Sequence, residues 1–258
     1  MKKALATFAY GPMVPVGNLT INDMQRYGKK HGYDVYSPGR SGMDLEGFDP
    51  EGWDVTQRDK HPSWAKLEIL RRLFDKGYNW ILWADSDILM VNTSKDILSE
   101  VDRFEDPDLV YAMHHTPYID WQIHPNAGMF LVHNPSILDD FETLARDTKE
   151  DRAARAWDQP GLLKLIGIDV SYRFDKNRVS KEPEPPWKPY RNYHFQEVGH
   201  EWNFTKVDKR PVPNPVRFAH YCGMNNNARI EQIKARSYLE WKIFQYRKHW
   251  HWRRKAET

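Results

Sequence analysis

The run WILWADSDILM (residues 80–90) constrains the fold more tightly than any other segment. It is apolar at nearly every position, so a strand built from it has no wet face. That is the mark of a central strand in a sheet covered on both sides. Its neighbours fit that setting. KALATFAYG (3–11) reads as a buried strand ending in a turn, and LTINDMQRYGKKHGYDVYS (19–37) as a helix, a stop at Gly32 and a strand. In SWAKLEILRRLFDKGYN (63–79), Leu67, Leu70 and Phe74 recur at helical spacing, with Ser63 as N-cap and Gly77 as stop. LVYAMHH (109–115) and GMFLVHN (128–134) read as strands, and SILDDFETLARDT (136–148) and QPGLLKLIG (159–167) as helices. Alternating helices and strands predict an α/β fold with a mainly parallel central sheet flanked by helices. Residues 175–215, rich in proline and aromatics, read as an irregular region capping the sheet.

The 258 residues fit one domain, 1–227, with a C-terminal helical extension, 228–258. That extension carries nine Lys/Arg against three Glu, which leaves the rest of a +2 chain acidic. A global nucleic-acid footprint is therefore absent, and any basic partner surface lies in the tail. Its Ile230, Ile233, Trp241 and Phe244 share one helical face. The preferred reading is a helix packed on the domain with a solvated basic end. The alternative is peripheral contact with an anionic membrane through its basic, aromatic end. One cysteine, Cys222, rules out an internal disulfide framework. The short apolar run at the N-terminus is no signal peptide, and no stretch reaches membrane-spanning length. The chain reads as cytoplasmic, or as a domain without its anchor.

Chemistry concentrates where the apolar run gives way, at Asp85 and Asp87. Strand alternation predicts both carboxylates on one side of an extended chain, with Ser86 opposite. Two anions that close are unfavourable unless a cation neutralises them. Mn²⁺ or Mg²⁺ suits carboxylate oxygens and keeps positions open for phosphate oxygens. The pattern therefore reads as a metal–diphosphate clamp, against the plainer reading of a strand-end acid capping a turn. Three further segments stand out. Asn126, Ala127 and Gly128 precede a strand and allow close approach of a ligand. Asp158 and Gln159 open a helix, where an acid is often only a cap. His220 ends a short apolar stretch and is followed by Gly223. Eleven tryptophans in the chain suit either stacking on sugar rings or an aromatic core.

Taken in order, WAKLEILRRL (64–73), WILWADSD (80–87), NAGMFLVHN (126–134), WDQPGLL (157–163) and HYCG (220–223) resemble a GT-A-type glycosyltransferase. The similarity is to the family of plant xyloglucan xylosyltransferases, fungal α-galactosyltransferases and mannan-polymerase subunits, and more distantly to glycogenin-like transferases. It implies a GT-A fold and a retaining transfer of a hexose or pentose from a nucleotide diphosphate sugar to a glycan or other hydroxyl acceptor. A UDP-sugar is favoured, and a GDP-sugar also fits. Asp85, Asp87 and His220 would hold the metal. Tyr10, Lys66, Asp85, Ser86, Asn126, Ala127, Gly128 and Gly223 would bind the donor. Asp158 and Gln159 would lie near the anomeric carbon, with front-face attack preferred to a covalent intermediate. Two departures stand out. His133 replaces the family's arginine, and Met224 and Asn225 replace the Lys-Pro that often follows H-x-x-G. Two other classes compete. A D-x-D phosphatase has its nucleophile at the end of the first strand, where this chain has FAYG, and Thr or Val where this chain has Leu89. A non-catalytic nucleotide-sugar or glycan binder would keep the fold but lose the metal triad.

Overall fold

The computed structural model describes residues 1–115, 123–147, 158–168, 188–205 and 213–235, apart from Ser41, Val55, Arg103, Asn214 and Gly223. Its elements run β1 (Lys3–Ala6), α1 (Val14–His31), β2 (Tyr33–Tyr36), α2 (Ala65–Asp75), β3 (Trp80–Ala84), β4 (Ile88–Met90), β5 (Leu109–His115), β6 (Ile123–Val132), α3 (Ile137–Arg146), α4 (Gln159–Ile166), β7 (Phe195–Val198), β8 (Phe204–Thr205) and β9 (Phe218–His220). A last helix, α5, is described over 226–235.

Six strands form the main sheet in the order β2-β1-β3-β6-β5-β7. β1 lies parallel to β2 and β3, β5 lies parallel to β7, and β6 alone runs against its neighbours. Side-chain alternation divides the core between the two faces. Ala4, Ala6, Ile81, Trp83, Phe130 and Val132 pack with α2, α3 and α4. Leu5, Leu82, Ala84, Met129 and Leu131 pack with α1, Trp202 and Phe218 on the other face. Every residue of β3 is buried, as its two-sided apolar pattern requires. A second sheet, β4-β9-β8, lies beyond the end of β3. Ile233 is buried against it and Ile230 is packed on the same cluster, so the described part of α5 rests on the domain. The rest of the 228–258 extension, Trp241 and Phe244 included, lies outside the described residues.

Several boundaries differ from the sequence expectation. The first helix begins at Val14, not near residue 19. Pro12 and Pro15 fall in opening turns, where no intrahelical N–H is lost. Ser63 is not an N-cap of α2. A short 3₁₀ turn (Pro62–Trp64) precedes the helix, and His61 accepts from the Ser63 N–H instead. Gly77 ends α2 as expected, at φ 79°. Strand β6 starts at Ile123, so Asn126, Ala127 and Gly128 lie inside it rather than before it. The pairing of β5 with β6 slips there: Tyr111 faces Phe130, yet Met113 faces Pro125. The extra residues bulge out of the ladder toward the end of β3. Residues 175–215, expected to be irregular, contribute β7, an edge strand of the main sheet, and β8. Of these, residues 175–187 are outside the described part. Among the described residues no helix is long and apolar enough to cross a membrane.

Candidate active site

Asp85, Ser86 and Asp87 do not continue β3. They form a tight turn in which the Ile88 N–H donates to the Asp85 carbonyl at 2.9 Å. The expectation of an extended chain with alternating side chains is corrected on this point. The two carboxylates converge because the chain folds back, not because a strand alternates. Each residue of the turn is anchored by a different element. The Asp85 N–H donates to Gly128 O in the β6 bulge at 2.7 Å, and Tyr221 N–H, just after β9, donates to Asp87 O at 3.1 Å. Thr20 of α1 donates its hydroxyl to Ser86 O at 2.7 Å.

β9 pairs antiparallel with β4, setting His220 opposite Ile88. Ligand atoms of Asp85, Asp87 and His220 thereby fall within 4.8 Å of one another. His220 is buried, and its Nδ1 lies 3.0 Å from Asn203 Oδ1. Asn203 Nδ2 donates in turn to Asn126 Oδ1 at 3.2 Å, which also accepts the Gly128 N–H at 2.9 Å. An amide oxygen only accepts, so this chain assigns the neutral imidazole proton to Nδ1. Nε2 then presents a lone pair to Asp87 Oδ1 at 3.3 Å. Two acceptors that close require a proton or a cation between them. The imidazole also explains Gly128: a Cβ there would lie 2.2 Å from His220 Cε1.

A second charged group adjoins the turn. Lys66 of α2 is buried, bonds the Asp158 carboxylate, lies 3.3 Å from Asp85 Oδ1 and donates to Ala127 O at 2.6 Å. Asp158 stands at the N-cap position of α4 but makes no capping bond. Its carboxylate is committed to Lys66 instead. Burial acts to lower the Lys66 pKa, but Asp158 and Asp85 outweigh it and hold the ammonium protonated. Asp85, which also accepts from Trp83 Nε1 at 2.7 Å, is pushed up. Burial is the main cause there, opposed by Lys66 and reinforced by Asp158 and Asp87. Asp87 is held below the usual carboxylate range: burial works upward, but a proton between His220 Nε2 and Asp87 Oδ1, together with the Arg229 guanidinium, overcomes it. The Arg229 Nε lies 3.2 Å from Asp87 Oδ2.

A cavity of about 360 Å³ adjoins these groups, with neither His220 nor Arg229 in its lining. Tyr10, Lys66, Asp85, Ser86, Asp87 and Asp158 all line it, joined by Phe8, His61 and Asn226, which sequence reading did not single out. Asn126, Ala127, Gly128 and Gln159 contribute none of its lining. Gln159 spends both ends of its amide on β6, accepting from Ala127 N at 2.8 Å and donating to Pro125 O at 2.6 Å. It clamps the bulge that carries Gly128. Gly223 lies outside the described residues. Asn203 and Arg229 were also missed, since neither sits in a local pattern. Two carboxylates and an imidazole with a fixed tautomer are a suitable donor set for a hard divalent ion such as Mn²⁺ or Mg²⁺.

No family model matches the chain, and no curated protein matches it. Among solved structures it is similar to a glycosyltransferase involved in the glycosylation of the major capsid of PBCV-1. The two share 17% identity at a TM-score of 0.59, over 91% of this chain and 100% of that one. The chain thus shares that structure's GT-A-like fold, with a mainly parallel sheet flanked by helices.

Proposed function

We propose that the chain is a metal-dependent glycosyltransferase that moves a hexose or pentose from a nucleotide diphosphate sugar to a hydroxyl of a glycan acceptor. The observation that carries this reading is the convergence of ligand atoms of Asp85, Asp87 and His220 within 4.8 Å of one another, with Asp85 and Asp87 lining a cavity beyond the carboxyl end of a central strand. Ligands of open α/β sheets bind in that place. Asp85, Asp87 and His220 would hold Mn²⁺ or Mg²⁺. Such an ion, when bound, offsets charge growing on the departing diphosphate. Tyr10 and Phe8, with ring centroids 6.4 Å apart and planes at 26°, offer an apolar wall for the base, for which a UDP donor is favoured. Lys66 adds a fixed positive charge within the cavity wall.

Retention through front-face attack fits the committed state of Asp158. A carboxylate bonded to a protonated lysine is a weak nucleophile, so it is better suited to orient the acceptor than to form a covalent intermediate. The acceptor proton then passes to the leaving phosphate oxygen. Gln159 is a positioning residue that acts through the β6 backbone. The test is to incubate the full chain with Mn²⁺ and a panel of nucleotide sugars, with and without candidate acceptors. The expected result is metal-dependent release of nucleoside diphosphate for particular donors. Binding without release would point to a non-catalytic module, and phosphate release from simple esters would point to a phosphatase.

A further inference from the structure

Asp87 is gripped from two sides. His220 Nε2 lies 3.3 Å from Oδ1, and Arg229 Nε of α5 lies 3.2 Å from Oδ2. Arg229 is itself 8% exposed, and its other bonds are all inward. Nε donates to Tyr221 O at 2.9 Å, while Nη1 reaches Asn226 Oδ1 at 2.7 Å and the Met13 sulfur at 2.9 Å. It is absent from the cavity lining, although Asp87, Asn226 and Met13 are all present. Like His220, which the lining also lacks, it is set back from the cavity wall, on the Oδ2 side of Asp87. A buried carboxylate without compensation is strongly destabilising, so something must neutralise Asp87 before any ion arrives. Among the described residues around the turn, the permanently charged cations near Asp85, Asp87 and Asp158 are Lys66 and Arg229, with His220 beside Asp87 and His61 near Asp158. Lys66 is taken up by Asp158 and Asp85, which leaves Arg229 for Asp87.

We infer that Arg229 is the resident counter-ion of the candidate metal site: a positioning residue that sits against Asp87, keeps the turn assembled without metal, and holds the affinity for free metal low. Arg229 and a divalent cation then compete to neutralise one carboxylate. A free ion gains little on entry. An ion arriving with a diphosphate brings its own negative charge and meets less opposition from the guanidinium. Because Arg229 belongs to α5, the seating of that helix on the domain sets the strength of the metal site. The inference rests on the metal-site reading proposed above.

The test is direct Mn²⁺ binding to the full chain, read by electron paramagnetic resonance, with thermal unfolding followed in EDTA and in Mn²⁺. Arg229→Gln is expected to bind free Mn²⁺ roughly tenfold more tightly than the parent chain, as removal of a like charge a few ångströms away would give. It should unfold at lower temperature in EDTA and recover more of that loss when Mn²⁺ is added. Arg229→Lys, which keeps the charge, should bind within about threefold of the parent. Weaker or unchanged Mn²⁺ binding in Arg229→Gln would overturn the inference. So would equal tightening in Arg229→Lys, or an Arg229→Gln chain that folds in neither condition, because packing rather than charge would then be the role. A parent chain that binds no Mn²⁺ would instead remove the metal site on which the inference stands.

Discussion

Asp87, Gly128 and Asn203 act on one imidazole-and-carboxylate pair, and each gives a different loss. Asp87→Ala removes a proposed ligand; Mn²⁺-dependent turnover should vanish while the far-ultraviolet circular dichroism of the fold persists. Full transfer activity in that variant, or in excess chelator, would contradict the metal site. Gly128→Ala places a methyl group where His220 packs, 2.2 Å from Cε1. The ring must move, so the change should cost about 1–3 kcal/mol of stability, read by chemical denaturation, as overpacking does. Loss of Mn²⁺ binding should accompany it. Asn203→Ala frees the imidazole tautomer and should weaken Mn²⁺ binding about 10–100-fold in calorimetry, the usual effect of losing an outer-shell partner. The loss at Asp87 was legible in the residues alone; those at Gly128 and Asn203 were not. The D-x-D pair marked itself by being charged inside an apolar run, and His220 by its place in an ordered set of motifs. Asn203 and Arg229 carry no such mark, because a buried amide or guanidinium looks like any surface polar group until the chain folds.

Among the elements, long periodic segments were legible and the joints between them were not. The two-sided apolar run of β3 and the amphipathic face of α2 lie where their patterns put them. The turn after β3 was hidden because Ile88, Leu89 and Met90 resume an apolar run and mask the break; they belong to a different sheet, paired with β9. The bulge in β6 was hidden because Asn-Ala-Gly looks like a loop, whereas here it is a strand held by Gln159. Away from the site, one cluster ties three elements together. Asp96 bonds Lys3 of β1 at 2.9 Å, Tyr33 of β2 at 2.7 Å and Tyr27 of α1 at 3.3 Å. Burial raises the Asp96 pKa, but Tyr33 and Lys3 more than offset it, and the net direction is downward. Its contribution to stability is therefore complete above the unfolded value, about pH 4, and is lost as pH falls through the lower folded value. Asp96→Asn should cost about 1–3 kcal/mol at neutral pH and flatten the acid limb of stability against pH. An acid limb unchanged by the substitution would show that other carboxylates set it.

At the scale of the whole molecule, the site is assembled from widely separated parts: the end of β3, the bulge of β6, the start of α4, the end of β9 and the first turns of α5. Local patterns name such parts one at a time, and only the fold shows that they meet. The sheet itself was legible, because helix and strand periods alternate cleanly through the first two-thirds of the chain. The region around β7 and β8 was not, since proline and aromatic content masked short strands whose pairing is long-range. If metal and donor share the cavity, Mn²⁺ and a nucleoside diphosphate together should raise the melting temperature by more than the sum of their separate shifts, since each binds the folded chain more tightly in the presence of the other. Additive shifts would argue for separate sites. The central claim, that Asp85, Asp87 and His220 jointly hold a metal ion on a donor diphosphate, is tested most directly by crystallography with Mn²⁺ and UDP. The anomalous difference map at the manganese edge should show one strong peak within bonding distance of all three side chains and of the diphosphate oxygens. A map with no peak there, or with manganese held elsewhere while UDP occupies the cavity, would contradict it.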